Sequence, residues 1–162
     1  MNLIVTADEN WGIGKGNQLS IRIPREQKLF MEETAGKVIV MGRKTFQTIY
    51  QGLAVQGRIN IIMSENKTLQ IKGAKVVHSV AELLEEIAQY PPEDVYVVGG
   101  ESIYRQLLPF CTVAHVTKLE QAYAADKYVE NLDKSSQWKL TADSEEQTYF
   151  DIAYEFRRYE KV

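Results

Sequence analysis

Short, continuous apolar runs rich in β-branched residues recur along the chain, and they limit its possible folds more than any other feature. They are Leu3-Ile4-Val5, Lys37–Met41, Arg58–Met63, Ala74–His78 and Asp94–Val98. Each is three to six residues long, too short for a helix, and apolar residues mostly follow one another instead of alternating with polar ones. That is how strands read when they are buried on both faces of a mostly parallel sheet. Three of the runs lead directly into helical segments. Lys37–Met41 passes through Gly42-Arg43-Lys44-Thr45 into a short helix, Phe46 to Tyr50. Asp94–Val98 passes through Gly99-Gly100-Glu101 into a helix from Ser102 to about Leu108, before Pro109. After Ala74–His78, Ser79 caps a helix with Val80, Leu83, Leu84 and Ile87 at helical spacing and Glu82 in the first turn. Thr112–Lys118 reads as a sixth strand, and Thr148–Tyr159 as a last one returning antiparallel to it. The expectation is an α/β fold: one domain over residues 1–162, a central mostly parallel sheet with an antiparallel edge strand, and about four flanking helices.

A further helix enters through Pro24, which fits the first helical position because its missing N–H has no partner there, and runs to about Thr34. Glu26 lies in its first turn, with Leu29 and Phe30 at i+3 and i+4. A carboxylate on the edge of an apolar stripe can close a pocket, or it can simply complement the helix dipole. Trp11-Gly-Ile-Gly-Lys-Gly-Asn-Gln18 reads as a flexible loop, either a mobile segment beside a ligand or a surface turn. Its G-x-G-x-G spacing is not the dinucleotide fingerprint. In Gly42-Arg-Lys-Thr45, a glycine, two cations and a helix start suit a phosphate, although a turn with two solvated cations reads the same way. Gly99-Gly100 follows a buried strand, where open α/β sheets bind ligands; a tight packing turn is the other reading.

Composition narrows the function. A net charge of −3 gives no basic surface for nucleic acid. The single cysteine, Cys111, cannot pair within the chain; it points to a reducing compartment and a buried structural thiol. No leader, repeat or stretch of transmembrane length is visible, so a cytoplasmic protein without membrane contact is expected. His78 and His115 are isolated, which leaves no Cys/His metal cluster.

Taken in order, Trp11-Gly-Ile-Gly14, Pro24 with Glu26 and Phe30, Val40-Met-Gly-Arg-Lys-Thr-Phe46, Val97-Val-Gly-Gly-x-x-Ile-Tyr104 and Thr117 resemble dihydrofolate reductase over essentially the whole chain. The resemblance implies NADPH-dependent reduction of 7,8-dihydrofolate to tetrahydrofolate by a monomer. It implies a catalytic pair, Glu26 holding the pterin and Thr117 supporting it. Ile4, Val5, Phe30, Ile49, Leu53, Val98 and Tyr104 would surround the substrate, and Arg58 would hold its glutamate carboxylate. Thr6, Ile13, Gly14, Gly42, Arg43, Lys44, Thr45, Met63, Ser64, Glu65, His78, Val98, Gly99, Gly100, Glu101, Ser102, Ile103 and Tyr104 would face the cofactor, with Arg43 and Ser64 selecting its 2′-phosphate. Three places depart from the family pattern. Leu19-Ser20-Ile21 replaces Leu-Pro-Trp, Glu101 stands where a small residue is usual, and Arg22 is an extra cation. A reductase of another pterin or of a riboflavin-pathway pyrimidine, and an NADPH-binding module without turnover, are the other readings.

Overall fold

The structure is a computed structural model that describes residues 1–16, 18–19 and 21–162. Asn17 and Ser20, the latter within the Leu19-Ser20-Ile21 triplet, lie outside the described residues. The centre of the main sheet is β1 (Asn2–Ala7), flanked by β7 (Val95–Gly99) and β8 (Val113–Leu119), both parallel to it. From β7 the sheet continues in parallel through β4 (Val38–Gly42), β5 (Ile59–Met63) and β6 (Ala74–Val77). Beyond β8 the direction reverses: β12 (Ile152–Lys161) runs antiparallel to it, with β10 (Trp138–Asp143) and β11 (Gln147–Tyr149) antiparallel to β12.

Both faces of the sheet are covered, which is why its strands read as unbroken apolar runs. Leu3, Val5, Val38, Val40, Ile61 and Val97 point into one core with Leu83 of α3 (Val80–Ile87) and Leu107 of α4 (Glu101–Leu107). Ile4, Ile39, Met41, Ile62 and Tyr96 point into the other. That core is closed by Phe46 of α2 (Arg43–Thr48) and Phe30 of α1 (Pro24–Thr34). The period-2 split along β4 assigns alternate side chains to opposite cores. Cys111 belongs to the first core, fully buried, with its thiol 3.4 Å from the Leu107 carbonyl. Burial pushes that thiol's pKa up to about 12.

The structure revises several expectations. The glycine-rich segment is strand, not loop: β2 (Gly12–Lys15) lies between β3 (Gln18–Leu19) and β9 (Lys127–Tyr128) in a small sheet of its own. Its glycines serve close approach. A Cβ on Gly12 would stand 2.7 Å from both Ala125 Cβ and Asp8 Oδ2. The Asp8 carboxylate holds the turn before β2, accepting from the Asn10 and Gly12 N–H groups, each at 2.8 Å, and from Tyr123 N–H at 3.1 Å. The last strand starts at Ile152, because the chain turns through Phe150 at φ +54° and Gln147–Tyr149 folds back on it. β10 carries no apolar period because five of its six residues are exposed.

Candidate active site

Two cavities open at the carboxyl ends of the parallel strands. The smaller, about 340 Å³, lies between the ends of β1 and β7 and the inner face of α1. Ile4, Val5, Thr6, Val98 and Tyr104 form its sheet side, Glu26, Gln27, Phe30 and Met31 its helix side, and Ile49 and Tyr50 its outer wall. Glu26 is the only carboxylate lining this space among the described residues. Pro24 places it there by fixing the start of α1, so that positions 26, 27, 30 and 31 share one face.

The carboxylate is half-buried, and burial raises its pKa above the ordinary value; the Thr6 hydroxyl beside it opposes that shift by stabilising the ionised form. Tyr50 feels the same enclosure and the Glu26 charge, and is pushed up to about 12. Tyr104 is fully enclosed, and its hydroxyl donates to the Ile4 carbonyl at 2.8 Å. That fixes the ring against Gly99 and commits its proton.

The larger cavity, about 580 Å³, lies between the starts of α2 and α4. Gly42, Arg43, Lys44 and Thr45 form one side, Gly100, Glu101, Ser102 and Ile103 another, and Met63, Ser64, Glu65 and His78 a third; Ile13 and Gly14 of β2 cover it. His78 Nδ1 lies 2.9 Å from the Ser64 carbonyl. Ser79 caps α3 through the Glu82 N–H at 3.1 Å, and Glu82 in return accepts the His78 N–H at 2.7 Å. The glycines leave room: a Cβ on Gly42 would meet Ile103 at 3.0 Å, and one on Gly100 would meet Thr45 Oγ1 at 3.3 Å. The Gly99–Gly100 peptide is cis. Backbone N–H groups at two helix starts beside Arg43 and Lys44 suit the phosphates of a dinucleotide. The two cavities share Ile13, Leu19, Thr45, Ile49 and Gly100.

A protein-family model described as dihydrofolate reductase matches residues 1–161. The chain belongs to the dihydrofolate reductase family. It is 32% identical over 165 residues to a dihydrofolate reductase of Bacillus subtilis (strain 168), covering 99% of this chain and 94% of that one. It is 35% identical over 130 residues to that of Enterococcus faecium, covering 80% and 77%. A solved dihydrofolate reductase from Enterococcus faecalis, complexed with NADP(H) and RAB-propyl, superposes with a TM-score of 0.86 at 28% identity, covering 99% of this chain and 95% of that one. As a dihydrofolate reductase the chain is an NADPH-dependent oxidoreductase, and the larger cavity has the donors that such a cofactor requires.

Seven residues do not line the cavity to which the resemblance assigns them: Leu53, Arg58, Gly99 and Thr117 line neither, and Thr6, Val98 and Tyr104 line the smaller and not the larger. Thr117 is buried in β8, in register with Thr6, and lines neither cavity; the hydroxyl at Glu26 is that of Thr6. Thr6 therefore sits in the smaller cavity and not in the larger. Leu53 is turned outward, 69% exposed. Gln51 and Gly52, both at positive φ, reverse the chain before it, and Val55 packs beside Phe30 and Tyr50 instead. Arg58 lies behind the last turn of α1 and lines neither cavity, donating to the carbonyls of Met31 and Gln56 and to Thr34 Oγ1. Gly99 lines neither cavity and serves as the seat of the Tyr104 ring. Residues that line the smaller cavity without having been expected there are Leu19, Ile21, Gln27, Met31 and Tyr50. Gln27 and Met31 were readable from their helical spacing around Glu26 and Phe30. Arg22, the extra cation, is also on its rim.

The raised pKa of Glu26 carries a stability consequence. The folded chain binds this proton more tightly than the unfolded chain, so the favourable contribution is complete below the ordinary carboxylate pKa and is lost as pH rises through the folded value. At neutral pH the buried charge costs stability, and Glu26→Gln removes that cost. Thermal unfolding is expected to show the variant more stable than the wild type at about pH 8, with the difference closing towards about pH 4.

Proposed function

We propose that residues 1–162 act as one dihydrofolate reductase domain, with the pterin of 7,8-dihydrofolate in the smaller cavity and NADPH in the larger, yielding 5,6,7,8-tetrahydrofolate for one-carbon metabolism. The observation that carries this placement is the shared wall. One cavity is apolar with a single carboxylate, the other is glycine-lined with Arg43 and Lys44, and they meet at Ile13, Thr45, Ile49 and Gly100. Donor and acceptor carbons brought together there are aligned and screened from water. NADPH, when bound, supplies the hydride. The chain's own task is then to orient the acceptor and deliver one proton to nitrogen.

Glu26 is the group for both. Its carboxylate accepts paired hydrogen bonds from a 2-amino group and an adjacent ring N–H, which fixes the face of the pterin. Neither phenol in the cavity competes as the acid. Tyr104 is bonded to the Ile4 carbonyl, and Tyr50 holds its proton to about pH 12. The proton therefore reaches nitrogen from water held by Glu26. Thr6 keeps the carboxylate oriented, and Phe30, Ile49 and Val98 flank the ring.

The substrate is a small molecule, and the chain works as a cytoplasmic monomer without nucleic-acid or membrane partners. The net charge of −3 disfavours a nucleic-acid partner, and no helix among the described residues is long and apolar enough to cross a membrane. Loss of the reduced-nicotinamide absorbance in the presence of dihydrofolate tests the reaction. NADPH is expected to be preferred over NADH in kcat/KM, and Arg43→Ala to narrow that preference by about tenfold or more, the size of one lost charged contact. An unchanged ratio would remove Arg43 from 2′-phosphate selection. NADPH oxidation that does not depend on dihydrofolate would remove the substrate assignment.

A further inference from the structure

Glu101 is the first residue of α4 and lies on the wall of the larger cavity. Its carboxylate is turned to the small sheet: Oε2 accepts the backbone N–H of Tyr128 at 2.7 Å, and Arg105 stands 3.9 Å from Oε1. Tyr128 belongs to β9, an edge strand of that sheet. On either side of it, Asp126 and Val129 donate inward, to the carbonyls of Gly14 and Trp11, each at 3.0 Å. The Tyr128 N–H points the other way, and Glu101 takes it. The strand held in this manner pairs with β2, whose Ile13 and Gly14 roof the larger cavity. One carboxylate thus links the wall of the cavity to its roof.

We propose that Glu101 is a positioning residue that clasps the β2–β9 sheet to α4 and slows release of the dinucleotide beneath it, an inference that rests on reading the larger cavity as the NADPH site. The carboxylate acts as a hydrogen-bond acceptor for the strand, and that engagement also turns its charge away from phosphates in the cavity. Losing a charged acceptor on this N–H frees the strand edge and shortens the residence of whatever the sheet covers.

The test compares wild type, Glu101→Ala and Glu101→Gln in three readouts: hydrogen exchange at the Tyr128 amide without cofactor, the NADPH release rate, and the midpoint of thermal unfolding. Alanine is expected to accelerate both exchange and release on the order of tenfold, with little change in the midpoint. Glutamine, which keeps an acceptor oxygen, is expected to hold both within about twofold of wild type. Unchanged exchange in the alanine variant would overturn the clasp. So would faster exchange without faster release, or a glutamine variant that behaves like alanine. Should the wild type bind no NADPH, the cavity reading fails, and the exchange measurement still decides whether Glu101 holds the strand.

Discussion

Glu26→Gln lowers turnover with dihydrofolate at neutral pH by about two to four orders of magnitude, the range over which a positioned acid–base group acts, while NADPH binding is retained. The side chain keeps its length, so the apolar lining of the smaller cavity is undisturbed. What is lost is the anion. An amide accepts through one oxygen and presents an NH₂ where the carboxylate had its second acceptor, and that NH₂ faces the donors of the pterin. Proton delivery fails with it, because no other acid lines the cavity among the described residues and both phenols hold their protons. The measurement is the pH profile of kcat for both proteins. The variant should recover as pH falls, because substrate protonated in solution no longer needs the carboxylate. Full activity at neutral pH would remove Glu26 from the mechanism. The same substitution is expected to stabilise the fold at neutral pH, so lost turnover cannot be ascribed to unfolding.

The second large effect is expected at Gly99. Its φ is +113°, and a Cβ there would stand 3.1 Å from three atoms of the Tyr104 ring and hydroxyl. Two penalties add in Gly99→Ala. The backbone conformation strains an L side chain by about 1–3 kcal/mol. The ring must also give way, but its hydroxyl is bonded to Ile4 O in a buried position. Breaking that bond costs about 1–3 kcal/mol more. A loss of about 2–6 kcal/mol in urea unfolding is expected. Turnover should fall too, since Tyr104 lines the smaller cavity, where we place the pterin. Gly57→Ala is the control: φ is +74°, but nothing lies within 4 Å of the added carbon, so only the backbone penalty remains. Equal losses at the two sites would show that Tyr104 does not resist.

The sheet and the residues around Glu26 were legible in the amino-acid order because burial imposes itself on composition. Strands covered on both faces cannot carry polar residues freely, and a helix that begins at Pro24 places its first acid without ambiguity. Other parts were not legible, each for a physical reason. β10 faces water, so nothing selects an apolar period there. Glycines at 12, 14 and 16 resemble a flexible loop, although the first is required by two side chains packed against its Cα. Leu53 is expected beside Ile49 in the outer wall only from the resemblance, because that loop has no period to set its register. What sets it is distant in kind: Asn60, buried in β5, accepts the Val55 N–H and donates to the Val55 carbonyl, each at 2.9 Å, so Val55 is pinned inward. A buried asparagine inside a strand was the available sign. Thr6 and Thr117 are a case of the same character, since the two are neighbours in register and only the fold decides which hydroxyl lines the smaller cavity.

Cys111 gives the chain an intrinsic stopwatch. The thiol is single, sealed in the first core and resistant to ionisation, so a soluble alkylating reagent meets it only when that core opens. The rate at which the native protein is labelled therefore counts openings of the core directly. No reporter has to be introduced, and any ligand that tightens the fold lengthens the interval between counts.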